Sequence, residues 1–173
     1  MSNSKDDSPI LLLVGCGSVA SSIINLANEC GFIVDVVDDR EAFVENEKFS
    51  LARNRIFLPE FAGLVEACSI GSSHYVIIAT HSKNYDCDAL YQSLESKACY
   101  IGLAGNKAKK EEIFATLRSK GIPNAELKAI HCPIGLPIRP KTASQLAVAI
   151  VGELLAAKAG ILQRLRLDKS KQN

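Results

Sequence analysis

Two glycines near the start of the chain have the spacing of a phosphate-binding turn. Residues 15–20 read Gly-Cys-Gly-Ser-Val-Ala and fit the pattern G-x-G-x-x-A. In this pattern the first glycine permits a tight turn, the second lets backbone N–H groups approach a phosphate, and the small last residue allows close helix packing. The helix that follows would add free amides and a positive dipole end. We therefore place a nucleotide-like ligand at Gly15, Cys16, Gly17, Ser18 and Val19.

Two acidic residues and an arginine follow this turn where a dinucleotide site needs an acceptor for ribose. Asp38 and Asp39 follow the β-rich run at residues 33–37, about 20 residues beyond the glycines. A carboxylate at this place can accept hydrogen bonds from the ribose hydroxyls. Arg40 could pair with a 2′-phosphate, whereas the two carboxylates would repel it. For a dinucleotide ligand, the residues favour NAD over NADP.

Polar residues also follow the fourth and fifth β-rich runs. Thr80 and His81 would lie at the carboxyl edge of a parallel sheet, which is where ligands bind in open α/β sheets. They either contact the ligand or cap the next helix, and both interpretations stay open. Gly105, Asn106 and Lys107 form a second glycine-containing turn at this edge, where the lysines either hold an anionic group or belong to a solvated helix face.

The cysteines and histidines do not form a recognisable metal or catalytic motif. The chain has 6 cysteines and no C-x-x-C pair, which argues against structural zinc and against a redox dithiol. His131 and Cys132 are adjacent, but neighbouring side chains usually point apart and no acid is at hand to orient the histidine. We predict no metal site and assign no catalytic residue.

The elements that must position these residues alternate between β-rich runs and helical patterns. This alternation predicts an α/β fold, a Rossmann-like doubly wound parallel sheet in a single domain. Strands are predicted at residues 11–14, 33–37, 55–57, 75–80 and 100–103. Helices are predicted at residues 18–30, 60–69, 86–97, 107–120, 126–130 and from 143 to about 164. The last helix opens with a capping box at Thr142 and Gln145 and is apolar nearly all round, so we expect it to be buried against the sheet or a neighbouring protomer.

Length and composition limit the remaining possibilities. With 173 residues, 47% hydrophobic and 23% charged, the chain suits one globular domain, predicted at residues 10–168 between disordered tails at 1–9 and 169–173. The net charge of +1 gives no electrostatic reason to expect nucleic acid or an anionic membrane as a partner. We see no membrane span and no export signal, so we expect a cytoplasmic protein.

Several segments together resemble the Rossmann domain of the xanthine dehydrogenase accessory factor family, of the XdhC/CoxI type. The resemblance covers nearly the whole chain and lies in the residues 15–17, 36–40, 79–81, 100–105, 130–136 and 142–147. It implies an accessory protein that binds molybdenum cofactor, supports its sulfuration and delivers it to a molybdenum hydroxylase such as xanthine dehydrogenase. A cysteine desulfurase is implied as a further partner.

The chain departs from the family pattern in three places. Longer members carry a separate N-terminal domain, for which the first strand at Ile10 leaves no room, so we expect cofactor contacts of that domain to be missing or supplied by another chain. Asn106 stands where a serine is usual. Pro137, Arg139 and Pro140 replace a looser stretch with Asp and Gly.

Three hypotheses about function stay open on these residues. The first is a non-catalytic factor that binds and delivers a pterin nucleotide at the glycine turn. The second is an NAD(P)-dependent oxidoreductase, and the third is an NAD-sensing interaction module that forms a homodimer through its last helix. Only residues 81–140 remain to build a substrate pocket, and this shortage favours binding over turnover.

Overall fold

Parallel strands form one sheet at the centre of the molecule. The structure is a computed structural model that describes residues 8–162. Its strands are β1 (Ile10–Val14), β2 (Ile33–Asp38), β3 (Asn54–Phe57), β4 (His74–Ile78) and β5 (Tyr100–Leu103). They pair in the order β3-β2-β1-β4-β5, so the chain crosses from one side of β1 to the other after β3. The predicted Rossmann-like α/β architecture is confirmed.

The strand register brings the ends of the three central strands to one edge. Val14 lies opposite Val37 of β2 and opposite Ile78 of β4. The residues that follow β1, β2 and β4 therefore meet at the crossover point of the sheet, where ligands bind in folds of this class. This edge carries the glycine turn, the acids Asp38 and Asp39, and His81.

Helices cover both faces of the sheet. They are α1 (Ser18–Glu29), α2 (Glu41–Val44), α3 (Leu64–Ala67), α4 (Lys83–Glu95), α5 (Lys107–Ser119), α6 (Asn124–Ala129) and α7 (Ala143–Lys158), with a 3₁₀ turn at Glu47–Phe49. In β1, Leu11 and Leu13 join the core on one face, while Leu12 and Val14 join the core on the other. Because both faces are covered, this strand is a continuous apolar run and does not alternate.

The last helix is partly buried and ends earlier than predicted. α7 packs against α1, and Ile150 and Leu154 are fully buried in the shared core. Val148 and Leu155 are exposed on the other side of the helix, so the predicted burial against the sheet holds for one face, and burial against a neighbouring protomer stays a prediction. The helix ends at Lys158 and not near residue 164, because the backbone turns at Gly160 with φ +69°.

Other boundaries differ for local reasons. The predicted helix over residues 60–69 is reduced to the short α3, and α4 starts at Lys83 because the Ser82 side chain accepts a hydrogen bond from the Asn84 N–H. β4 ends at Ile78, before Thr80. The predicted tails lie outside the described residues except for Ser8 and Pro9. Within residues 8–162, none of the helices combines the length and apolar character needed to cross a bilayer.

Candidate functional site

The two glycines of the turn have different structural requirements. Gly15 has φ +103°, and a Cβ on it would lie 2.4 Å from the carbonyl oxygen of Ala79, so the backbone there accepts only glycine. Gly17 has φ −94°, which any residue adopts. A Cβ on Gly17 would meet only the Ala79 oxygen, at 4.0 Å. Gly15 is therefore required by the fold, whereas Gly17 keeps open the space in front of α1.

The N-terminus of α1 presents backbone amides to this space. Gly17 is its N-cap residue, and no side chain among the described residues caps the helix. The first turn carries no acidic residue that would repel an anion. A helix of 12 residues with free N–H groups at its start favours a negative group at that end.

Asp38 holds the glycine turn and leaves no capacity for ribose. Its carboxylate is fully buried. Oδ2 accepts hydrogen bonds from the Cys16 N–H at 2.6 Å and Arg40 Nη2 at 2.9 Å, while Oδ1 accepts from Arg40 N at 3.0 Å and Nε at 2.8 Å. These bonds occupy the acceptor sites of a carboxylate. Asp38 thus supports the turn, and these contacts weigh against the ribose-binding role, which stays a prediction.

The same contacts determine the ionisation of Asp38 and Cys16. Burial raises the pKa of Asp38, but the hydrogen bonds from Arg40 and the Cys16 N–H outweigh burial, and the net pKa lies below its ordinary value. Burial, with a contribution from the Asp38 charge, raises the pKa of Cys16 to about 12. Cys16 is thus a protonated thiol inside the turn and contributes to the site through its backbone.

Asp39 and His81 form a bridge across the end of β1. Asp39 Oδ2 lies 3.0 Å from His81 Nε2, and the His81 ring makes an edge contact with Tyr85. Asp39 follows β2 and His81 follows β4, and β1 lies between these strands. Arg40 extends beside this bridge with its guanidinium 3.6 Å from the centre of the Phe43 ring. Of the predicted residues, the structure thus brings Asp39 and His81 into direct contact.

Thr80 lines the turn cleft and is hydrogen-bonded at the entry into α4. Its N–H donates to Asp86 Oδ1 at 2.8 Å, and its hydroxyl lies 2.8 Å from that oxygen and from the Ser82 carbonyl. Asp86 is fully buried and forms an ion pair with Lys109, whose Nζ also donates to the Ala104 carbonyl at 3.0 Å. Lys109 was one of the three lysines considered for an anionic group at this turn, whereas Asp86 was not among the predicted site residues.

Of the three lysines that follow the second glycine turn, Lys109 lines the turn cleft. Asn106 caps α5, because its Oδ1 accepts from the Lys109 N–H at 2.9 Å. Gly105 leaves room for the Lys109 side chain, whose Cδ would lie 2.8 Å from a Cβ at Gly105. Lys107 is exposed and is not part of the cleft lining. Lys109 was recognisable only as one of three neighbouring lysines, and no sequence signal distinguished Asp86.

Two adjoining cavities open at this edge of the sheet. The turn cleft has a volume of about 450 Å³ and includes Gly17, Ser18, Arg40, Thr80, His81 and Lys109 in its lining. The loop cavity has a volume of about 720 Å³ and lies between the 133–140 loop and α7, where it is lined mainly by apolar side chains. Val19, Ala104 and Gly105 line both cavities.

The His131–Cys132 pair does not form a nucleophile and base. The His131 ring stacks on Tyr100 with centroids 4.3 Å apart, and its Nδ1 lies 3.4 Å from Glu153 Oε1. Burial raises the pKa of the Cys132 thiol, although Lys110 opposes this effect. Over residues 8–162, no group of three or more His, Cys, Asp or Glu side chains could hold a metal ion.

Comparisons with known proteins agree with this geometry. Residues 11–154 match the XdhC Rossmann domain family. YqeB of Escherichia coli (strain K12), an uncharacterised protein, is 29% identical over 150 residues, which are 87% of this chain and 27% of YqeB. A Bacillus subtilis (strain 168) protein, named as one of the probable xanthine dehydrogenase subunits, is 26% identical over 151 residues, covering 87% of this chain and 43% of that protein.

A solved structure has the same fold over most of the chain. The crystal structure of a xanthine dehydrogenase from Bacillus halodurans aligns with a TM-score of 0.76 and 25% identity, covering 88% of this chain and 43% of that one. The chain thus spans less than half the length of these relatives. Because the family match extends over residues 11–154, the chain belongs to the XdhC Rossmann domain family.

Proposed function

We propose that this chain binds a molybdenum pterin cofactor at the turn cleft and delivers it to a molybdenum hydroxylase. The observation that carries this proposal is the turn cleft itself. There, the uncapped N-terminus of α1 faces open space in front of Gly17, and the cationic side chains Arg40 and Lys109 line that space. The names of the two Bacillus relatives, which both refer to xanthine dehydrogenase, support a hydroxylase as the partner.

The residues of the turn cleft suit the phosphate end of such a cofactor. Backbone N–H groups of Ser18 and Val19 would hold phosphate oxygens without any side chain having to move. Arg40 and Lys109 would add hydrogen-bond donors to those of the backbone, while the charge of each is already balanced by a buried carboxylate. Both cations are already oriented, Arg40 by Asp38 and Lys109 by Asp86, so their ordering does not oppose ligand binding. When bound, the molybdenum cofactor carries the redox chemistry used by the hydroxylase.

The geometry favours this cargo over NAD. A dinucleotide in this type of fold places a ribose at the acid that ends β2. Here the Asp38 carboxylate is buried under Cys16 and Arg40, and Asp39 is bonded to His81. The polar groups that a ribose diol requires are thus engaged within the protein, which weighs against the oxidoreductase and NAD-sensor hypotheses.

A cofactor-loading experiment tests the proposal. Molybdenum cofactor released from a purified hydroxylase is mixed with the chain, free cofactor is removed by filtration, and bound molybdenum is measured by mass spectrometry. We expect near-stoichiometric molybdenum on the parent protein and on Asp88→Asn, whose half-exposed side chain does not line the turn cleft, and none on Gly17→Val. Tighter binding of NAD than of cofactor would contradict the proposal.

Delivery and partners need a second measurement. Loaded protein is added to a hydroxylase apoenzyme, and the return of hydroxylase activity is compared with an equal amount of free cofactor. We expect faster activation by the loaded protein. Co-purification from the native host tests the hydroxylase and a cysteine desulfurase as partners, and sedimentation velocity tests the predicted homodimer.

A further inference from the structure

The loop cavity adjoins the proposed phosphate site, and the proposed function does not yet use it. Its volume of about 720 Å³ is within the range of small-molecule sites. Apolar side chains form most of its wall, with Ile134 and Leu136 from the loop and Leu146 and Ile150 from α7. Arg139, an exposed residue, is also part of the lining. Such a lining suits a flat ring system with polar edges better than a phosphate or a sugar.

The wall of the loop cavity is held in place by the protein itself. The Leu136 N–H donates to the Ala149 carbonyl at 3.0 Å, which joins the loop to α7. Gly135 has φ +96°, and a Cβ on it would lie 3.3 Å from the Ala149 Cβ, so the loop backbone sits directly on the helix. The cavity therefore exists before any ligand arrives, which lowers the ordering cost of binding.

Charged groups close the side of the phosphate site that faces β2. A ligand leaving the turn towards β2 meets Arg40 held by Asp38, and then the bridge between Asp39 and His81. Displacing these pairs would expose buried charges. Towards β5, the turn cleft and the loop cavity share Val19, Ala104 and Gly105 in their linings, with the Lys109 side chain beside Gly105.

We propose that the loop cavity is the subsite for the ring system of the phosphorylated ligand. A planar heterocycle of the purine or pterin class lies between the 133–137 loop and Leu146, with its phosphate at Gly17 and its polar edge towards Arg139. The inference rests on the proposed function for the phosphate end only. It reverses the direction in which a dinucleotide would lie, because the rings extend towards α7 and not towards β2.

Three simple probes separate the two parts of the site. Guanosine monophosphate carries a ring and a phosphate, ribose 5-phosphate lacks the ring, and guanosine lacks the phosphate. We expect Leu146→Trp, which fills the loop cavity, to weaken binding of guanosine monophosphate and guanosine by roughly tenfold or more. Binding of ribose 5-phosphate stays unchanged. Val148→Trp on the exposed face of the same helix is the matched control and changes none of the three.

Methyl NMR on the parent protein gives a readout that does not depend on any variant. Ring-bearing probes should shift the methyl signals of Ile134, Leu136 and Leu146, whereas ribose 5-phosphate should leave them in place. The Val148 methyl signals serve as the internal control. Shifts confined to residues around β2, or ring binding that is insensitive to Leu146→Trp, would overturn the subsite.

The outcomes distinguish this inference from the proposed function. Guanosine binding that depends on Leu146, without any binding of ribose 5-phosphate, supports the subsite and contradicts the phosphate site. Binding of ribose 5-phosphate and guanosine monophosphate with equal affinity supports the phosphate site and contradicts the subsite. Failure of all three probes to bind contradicts both.

Discussion

The backbone N–H of Cys16 donates a 2.6 Å hydrogen bond to the buried Oδ2 of Asp38. This bond joins the middle of the glycine turn to the end of the neighbouring strand, 22 residues further along the chain. The acid that usually serves a ribose is here a part of the turn. Arg40 balances the charge of Asp38, and Asp38 fixes the orientation of the Arg40 guanidinium. The Asp38 side chain thus supports the turn and also positions a cation at the turn cleft.

Asp38→Asn should destabilise the fold. The amide can offer one acceptor oxygen in place of two, and it leaves Arg40 or the Cys16 N–H without a partner. We expect the free energy of unfolding to fall by about 2–4 kcal/mol in urea titrations. Asp88→Asn, which removes a half-exposed ion pair with Lys120, should cost less than about 1 kcal/mol. Equal losses in both variants would mean that Asp38 does not support the turn.

Gly15→Ala and Gly17→Val should separate folding from binding. At Gly15 the added Cβ meets backbone at positive φ, so we expect a loss of about 2 kcal/mol or more in the free energy of unfolding. At Gly17 the φ is ordinary and the space is open, so the cost stays within about 1 kcal/mol.

Gly17→Val should lose ligand binding although it keeps most of its stability. In Gly17→Val the valine side chain occupies the place of the phosphate. Calorimetry should therefore detect no binding of ribose 5-phosphate to this variant, although the variant still unfolds cooperatively. A Gly17→Val variant that binds as tightly as the parent would make the turn purely structural.

Acid should weaken the fold through His74 before it does so through Asp38. Burial lowers the pKa of His74, although the Asp35 charge opposes this, and the neutral ring accepts a 3.0 Å hydrogen bond from the Gly71 N–H. The unfolded chain then binds the proton more readily than the native one, so stability falls as pH drops below about 6.5. We expect urea midpoints to decline from pH 7.5 to 5.5, and His74→Gln to flatten that decline.

Asp38 acts over a lower pH range with the same sign. Its pKa is depressed in the native protein, so its contribution is present above the unfolded value of about 4 and is lost as pH falls below it. The loss of stability near pH 4 should therefore persist in His74→Gln and be reduced in Asp38→Asn. If His74→Gln retained the full decline between pH 7.5 and 5.5, the assignment to His74 would be wrong.

Cys16 should be unreactive although it lies in the glycine turn. Burial raises the pKa of Cys16 and that of Cys68 to about 12, so neither thiol ionises near neutral pH. With iodoacetamide at pH 8, peptide mass spectrometry should find both unlabelled in the native protein and labelled in urea. Labelling of native Cys16 at the rate seen in urea would show that the turn opens, and Cys68 serves as the buried reference.

Local patterns in the sequence determined the order of the elements and the place of the site. Apolar runs bounded by turns predicted β1, β2, β4 and β5 to within two residues, since a strand covered on both faces is largely apolar. β3 was predicted to within one residue although most of its residues are exposed. The G-x-G-x-x-A spacing predicted the turn before α1, because only Gly15 tolerates its positive φ. The segments at 100–105 and 130–136 indicated the family, which the match over residues 11–154 confirmed.

Only the tertiary structure decided which partner each polar side chain has. The Asp38 carboxylate accepts a hydrogen bond from the Cys16 N–H, and Lys109 lines the turn cleft whereas Lys107 does not. The loop cavity forms where the 133–140 loop and α7 meet Val19 and Ala104, which lie far from them in the sequence. The physical reason is that backbone propensities act over a few neighbouring residues. A hydrogen bond or a cavity depends on the register of strands and the packing of loops that the local sequence does not encode.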